Sequence, residues 1–181
     1  MMKINDNKGL EVVSIRLVKD KPLLSDTSIS TPADAIELLG KQLCELDREV
    51  LCVINLSADN KPINCNFVSM GTVNQTMACP KDILKSTILS NAARMILLHN
   101  HTSGNLLPSK DDINVTDKML QISSIIGVPL IDHVIVGGEN KDYFSFKEKR
   151  ILHMSTIPQK QDYNELEFPS IDMVAEKGRS R

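Results

Sequence analysis

The chain has 181 residues, of which 41% are apolar, 24% charged and only 3% aromatic, with a formal charge of −2. One domain with some tail fits that length, a second full domain does not, and the core must rest on Ile, Leu, Val and Met. The charge offers no overall attraction to nucleic acid. No run approaches the roughly 18 apolar residues of a membrane helix, and Met1 to Glu11 lacks the apolar stretch of a secretion signal, so a cytoplasmic location is expected.

Residues 1–30 contain one extended run, Val12–Val18, expected as a lead-in strand. Thr31-Pro32-Ala33-Asp34 reads as a helix start: Thr caps, Pro suits the first turn and Asp34 sits where a capping carboxylate belongs. Ile36, Leu39, Leu43 and Leu46 follow at helical spacing and are expected to face the core. Val50–Leu56 is short, apolar and partly β-branched, an interior strand, and the turn-like Ser57–Pro62 lets Ile63–Ser69 return beside it. Gly71 marks a bulge or turn within the less legible Met70–Ala78.

Cys79-Pro80-Lys81-Asp82 is a second helix entrance, with Ile83, Leu84, Thr87, Ile88 and Ala92 as its buried stripe. Met95–Leu98 predicts a central strand and His99–Pro108 a loop. A third helix runs from Ser109 to about Ile126, stopped by Gly127 and Pro129. Leu130–Val136 and Tyr143–Phe146 are strands joined through Gly137-Gly138-Glu139-Asn140. Beyond Arg150 the apolar pattern decays into a polar tail over 151–181. The whole predicts an α/β or α+β domain with helices flanking a mixed sheet.

Cys44, Cys52, Cys65 and Cys79 are widely spaced and include no CxxC pair, so they read as reduced thiols, Cys52 as a core side chain. The chemistry concentrates in His99-Asn100-His101-Thr102-Ser103-Gly104-Asn105-Leu106-Leu107-Pro108-Ser109-Lys110-Asp111-Asp112. Residues two apart in an extended backbone share a side, so His99 and His101 can converge on one ion, and neutral imidazoles with a carboxylate suit zinc. With Ser109 as N-cap, Asp112 falls at the third helical position and is the candidate third ligand; Asp111 competes. Water activation also needs a base. Glu49, at the entrance to Val50–Leu56, is the candidate, with Glu45 and Glu11 as rivals.

These residues resemble the JAB/MPN metalloprotease-like superfamily, marked by the JAMM motif, and within it the bacterial RadC-like proteins. The superfamily pattern is a distant Glu, then His-x-His, seven residues, Ser, two residues and Asp, matched by Glu49, His99, His101, Ser109 and Asp112. The string HNHTSGNLLPSKDD is similar to the RadC-type HNHPSG…PS..D; REVLCVINL around Glu49, and LIDHVIVGG followed by YFSFKE, extend the likeness over about residues 31–150. The resemblance implies a single JAB/MPN-like domain with one Zn2+ on His99, His101 and Asp112. It implies Glu49 as general acid/base and Ser109 opposing charge on the oxygen of a tetrahedral intermediate, in hydrolysis of peptide or isopeptide bonds by a metal-activated water. Thr102 stands where the pattern has proline, predicting a less rigid loop with the ligands intact.

The competing expectation is a non-catalytic metal-containing binding protein associated with DNA repair or mobile elements, signalled by a fourth protein ligand such as Cys65 or His133. The partner expected is a peptide or protein substrate. DNA association gains no support from composition, no membrane is implied, and homo-oligomerisation through a sheet edge or apolar face stays open.

Overall fold

The computed structural model describes residues 14, 16–18, 27–70, 78–137 and 142–152. Residues 12, 13 and 15 of the expected lead-in strand and nearly all of the tail lie outside them, and the described residues 14 and 16–18 belong to no strand. Chain order is α1 (Pro32–Cys44), β1 (Val50–Leu56), β2 (Pro62–Met70), α2 (Pro80–Leu89), β3 (Arg94–His101), α3 (Lys110–Ile126), β4 (Leu130–Gly137) and β5 (Tyr143–Ser145). The strands form one sheet in the order β2-β1-β3-β4-β5, with β3 and β4 parallel and the other pairs antiparallel. This is an α/β fold.

Each helix begins and ends for a local reason. Thr31 caps α1 through a capping box with Asp34, whose carboxylate accepts from the Ser30 and Thr31 N–H groups at 2.8 Å each. Gly127, at φ 69°, ends α3 in the left-handed conformation that a side chain disfavours. β1 is buried along its whole length because neighbours flank both edges and helices cover both faces, which explains its continuous apolar run. Its polar exception, Asn55, donates to Asn64 Oδ1 at 2.7 Å and Ser86 Oγ at 3.2 Å, tying the hairpin to α2.

The sheet separates two apolar clusters. On one face α1 sets Ala35, Ile36, Leu39 and Leu43 against Cys52, Ile54, Leu98, Val134 and Val136. On the other, Ile83 of α2 and Met119 and Leu120 of α3 cover Leu51, Val53 and Leu97. Burying a side chain of this size removes about 1.5–3 kcal/mol of unfavourable hydration, so these clusters hold both faces closed.

Three expectations need correction. Leu46 lies past the end of α1 and is exposed, because Glu45 already caps that helix. Ile88 is 58% exposed on the outer side of α2, while Ala92 is buried from the turn beyond it. The histidines are not in a loop: β3 continues through His101, paired with β4 as far as Gly137. No helix among the described residues is long and apolar enough to cross a membrane.

Candidate metal centre

His99 and His101 share the α3 side of β3, and both are buried. Glu49 directly precedes β1, whose antiparallel register sets Leu51 opposite His99. Glu49 Oε2 thereby comes to 4.0 Å from His99 Nε2. Asp112 arrives from the first turn of α3, with Oδ1 3.9 Å from His99 Nδ1 and Oδ2 3.2 Å from His101 Nε2. Among the described residues, Glu49, His99 and His101 form the one group whose ligand atoms all lie within 4.8 Å of each other, and this cluster could hold a metal ion.

Asp112 touches both imidazoles without joining that group. Its Oδ2 accepts the Ser109 N–H at 2.7 Å and the Ser109 hydroxyl at 2.6 Å, while Ser109 Oγ accepts the Asp112 N–H at 3.1 Å. The capping box read from the sequence is therefore formed, and in it the single hydroxyl proton of Ser109 is directed at Asp112. Asp111 is exposed on the rim of the cleft, and Glu45 is exposed at the end of α1. Glu11 lies outside the described residues.

Burial pushes His99 down to about 4, with the Asp112 charge opposing and His101 adding to the effect. Neutral imidazole is the form that binds a metal. Burial alone would also lower His101, but hydrogen bonds to Asp112 and the Asn105 carbonyl, with the charges of Asp112 and Glu49, outweigh it and raise the pKa. Burial alone would raise Asp112; hydrogen bonds from His101 and Ser109, and the neighbouring His99, hold it far below the ordinary carboxylate range instead.

Beneath the cluster, Thr116 Oγ1 donates to the Asp112 carbonyl at 2.5 Å and accepts from His133 Nδ1 at 2.7 Å. His133 is fully buried and stacks on Phe146 at 5.1 Å between centroids. It is thus engaged by α3 rather than grouped with the cluster. Cys65, the other fourth-ligand candidate, packs against the apolar core under α1, on the face of the sheet opposite the histidines.

The histidines open onto a cleft of about 340 Å³ whose other walls include Glu49, Asn105, Leu107, Ser109 and Asp111. Its lining carries three carboxylates, Glu49, Asp111 and Asp112, and no Lys or Arg among the described residues.

The family model of the RadC-like JAB domain matches residues 29–151, well over half of the chain. The chain belongs to the RadC-like JAB domain family. A UPF0758 protein of Clostridium beijerinckii is 36% identical over 132 residues, covering 73% of this chain and 57% of the relative. One of Rubrobacter xylanophilus is 40% identical over 124 residues, covering 68% and 53%, and one of Clostridium acetobutylicum is 38% identical over 153 residues, covering 82% and 66%. The chain spans somewhat more than half the length of the curated relatives it matches.

In this RadC-like domain the donor set fits a divalent cation on two structural grounds. His99 Nε2 is buried with no hydrogen-bond partner, an arrangement that costs free energy unless something binds at that nitrogen. His101 gives its Nδ1 proton to the Asn105 carbonyl, so the Nε2 lone pair of the neutral ring faces a carboxylate oxygen of Asp112 at 3.2 Å. Two acceptors at that distance require a proton or a cation beside them.

Asn100, Asn105 and Thr116 hold places in the site that local sequence pattern does not assign. Asn100 had a signal of its own: a polar residue inside an apolar strand, on the face opposite the two histidines.

Proposed function

We propose that this domain is a zinc-dependent hydrolase of peptide or isopeptide bonds. The observation that carries the reading is the partnerless Nε2 of buried His99 beside Glu49, at the mouth of an open cleft. His99 and His101, with Asp112 as carboxylate, would hold the ion, leaving Glu49 beside them as the base. When bound there, zinc would supply Lewis acidity, lowering the pKa of water and polarising an amide carbonyl.

The remaining work falls to the chain. Glu49 takes the proton of the attacking water and returns it to the leaving amine nitrogen, the role its place beside His99 and its access to the cleft support. Ser109 sets the orientation of Asp112 through two hydrogen bonds; contact with the oxygen of a tetrahedral intermediate requires its hydroxyl to leave that carboxylate. The Asn105 carbonyl fixes which nitrogen of His101 faces the site. A wall of carboxylates with no basic side chain among the described residues disfavours a phosphodiester and suits a neutral amide, which supports a peptide or protein as substrate.

Elemental mass spectrometry of freshly purified protein, followed by peptide and isopeptide cleavage assays, tests the reading. Near one zinc per chain is expected, with Glu49→Gln keeping the metal and losing turnover by about 100-fold or more. Cleavage by Glu49→Gln at the wild-type rate would defeat the mechanism.

A further inference from the structure

Asn100 lies between the two histidines on β3, and the alternation of the strand turns it to the opposite face. It is 2% exposed, so its amide must find partners within the protein. Those partners bracket Glu49: Val50 N–H donates to Asn100 Oδ1 at 2.7 Å, and Asn100 Nδ2 donates to the Arg48 carbonyl at 3.0 Å. The β1–β3 pairing ends at Leu51 opposite His99, one residue short of Asn100. At that point the side-chain amide continues the ladder in place of backbone, offering one acceptor and one donor as a strand residue would.

We infer that Asn100 is the positioning residue for Glu49, locking both peptide units that flank it so that its carboxylate stays beside His99. The inference rests on the functional reading above only for what Glu49 does once positioned. One residue thereby links the two halves of the site: the backbone of Asn100 spaces the histidines, and its side chain fixes the carboxylate across the strand gap. The task is specific to a carboxamide. Leucine has similar volume and no polar atoms, and aspartate accepts from Val50 N–H but turns an oxygen towards the Arg48 carbonyl.

The test compares wild type, Glu49→Gln, Asn100→Leu, Asn100→Asp and the double variant Glu49→Gln/Asn100→Leu. Metal content, turnover and the visible absorption bands of the Co2+-loaded protein, which report the groups around the ion, are measured for each. Asn100→Leu should keep one metal per chain, lower kcat about 10- to 100-fold with KM little changed, and cost nothing further in the Glu49→Gln background. Its Co2+ spectrum should move in the same direction as that of Glu49→Gln, with Asn100→Asp intermediate.

If Glu49→Gln lowers turnover and Asn100→Leu does not, the inference is wrong and the hydrolase reading stands. If wild type cleaves no peptide or isopeptide, the hydrolase reading falls and the Co2+ spectra decide: a shift shared by both variants sustains the positioning role, and a spectrum indifferent to Asn100→Leu overturns it. Loss of metal from both Asn100 variants would assign the residue to the integrity of β3 instead, and would also overturn it.

Discussion

His101 Nε2 lies 3.2 Å from Asp112 Oδ2 while its Nδ1 is bound to the Asn105 carbonyl. Without a metal, the contact is favourable when the imidazole is protonated, and the pKa of His101 is raised above the ordinary 6.5 accordingly. Metal and proton therefore compete for one position. Calorimetric titration with Zn2+ at pH 6.5 in two buffers of different ionisation enthalpy should show roughly half a proton or more released per ion from this group. Affinity should fall as the pH drops. Heats independent of the buffer would remove the competition.

Ser109→Ala deletes both the cap to the Asp112 N–H and the hydroxyl that holds Asp112 Oδ2. A lost cap costs about 1 kcal/mol, a fall of a few °C in the unfolding midpoint of the metal-free protein. Metal affinity should weaken as well, since the Asp112 carboxylate keeps only the Ser109 N–H to orient it from the cap. A variant with wild-type stability and affinity would show that the capping box supports neither.

Acid should unfold the metal-free protein through its histidines before its carboxylates. Burial pushes His133 down to about 3, reinforced by His99, and His99 itself sits at about 4. Both folded values lie below the unfolded value near 6.5, so the stability linked to neutral rings is fully present above about pH 6.5. It is lost as pH falls through 4 towards 3. His101 has the opposite sign: its contribution is present below about pH 6.5 and fades as pH rises through its folded value. Urea midpoints should therefore decline between pH 6.5 and 4, and His133→Asn, which keeps a donor for Thr116, should flatten that decline. An unchanged slope in the variant would locate the effect elsewhere.

The loop after His101 closes with Gly104 N–H donating to the His101 carbonyl at 3.1 Å, which places Thr102 at the second position of a turn. Proline is favoured there and fixes φ, and an extended residue such as His101 tolerates proline after it. Thr102→Pro should slow amide exchange in residues 102–105 and leave metal stoichiometry unchanged; loss of zinc would contradict the view that the loop only braces the ligands.

Gly137 acts on the same loop from β4. A Cβ there would meet the Gly104 Cα at 3.1 Å and Leu106 Cδ2 at 3.2 Å, and the first of these is backbone. Gly137→Ala should displace residues 104–106, and with them the Asn105 carbonyl that orients His101. Metal affinity should fall by about 10-fold or more while β1 and β3 keep their exchange protection. Unaltered affinity would separate the loop from the metal centre.

Much of this domain was legible from local pattern. Thr31 and Ser109 each place a side-chain oxygen three residues before an aspartate, and Gly127 offers a left-handed stop, so helix starts and ends follow from chemistry within one turn. His99 and His101 declare a shared face by their spacing, and the Ser109–Asp112 box was readable in the same way. Ile88 and Leu46 misled because helical spacing says which residues share a face, not where a helix stops or which part of its face meets the sheet.

The donor types, their periodic relationships and the family resemblance that singles out Glu49 from Glu45 and Glu11 are all carried by local sequence. How the donors meet is a matter of long-range packing. Glu49 reaches His99 because β1 lies antiparallel beside β3, a relationship between residues 50 apart that no local periodicity encodes. Ser109 commits its hydroxyl to Asp112, and Asn100, marked in the sequence only as a polar residue in an apolar strand, closes the gap between strands. Sheet order and register arise from burying both faces of a sheet between helices, a property of the whole chain, and the atoms that face one ion are set by that packing.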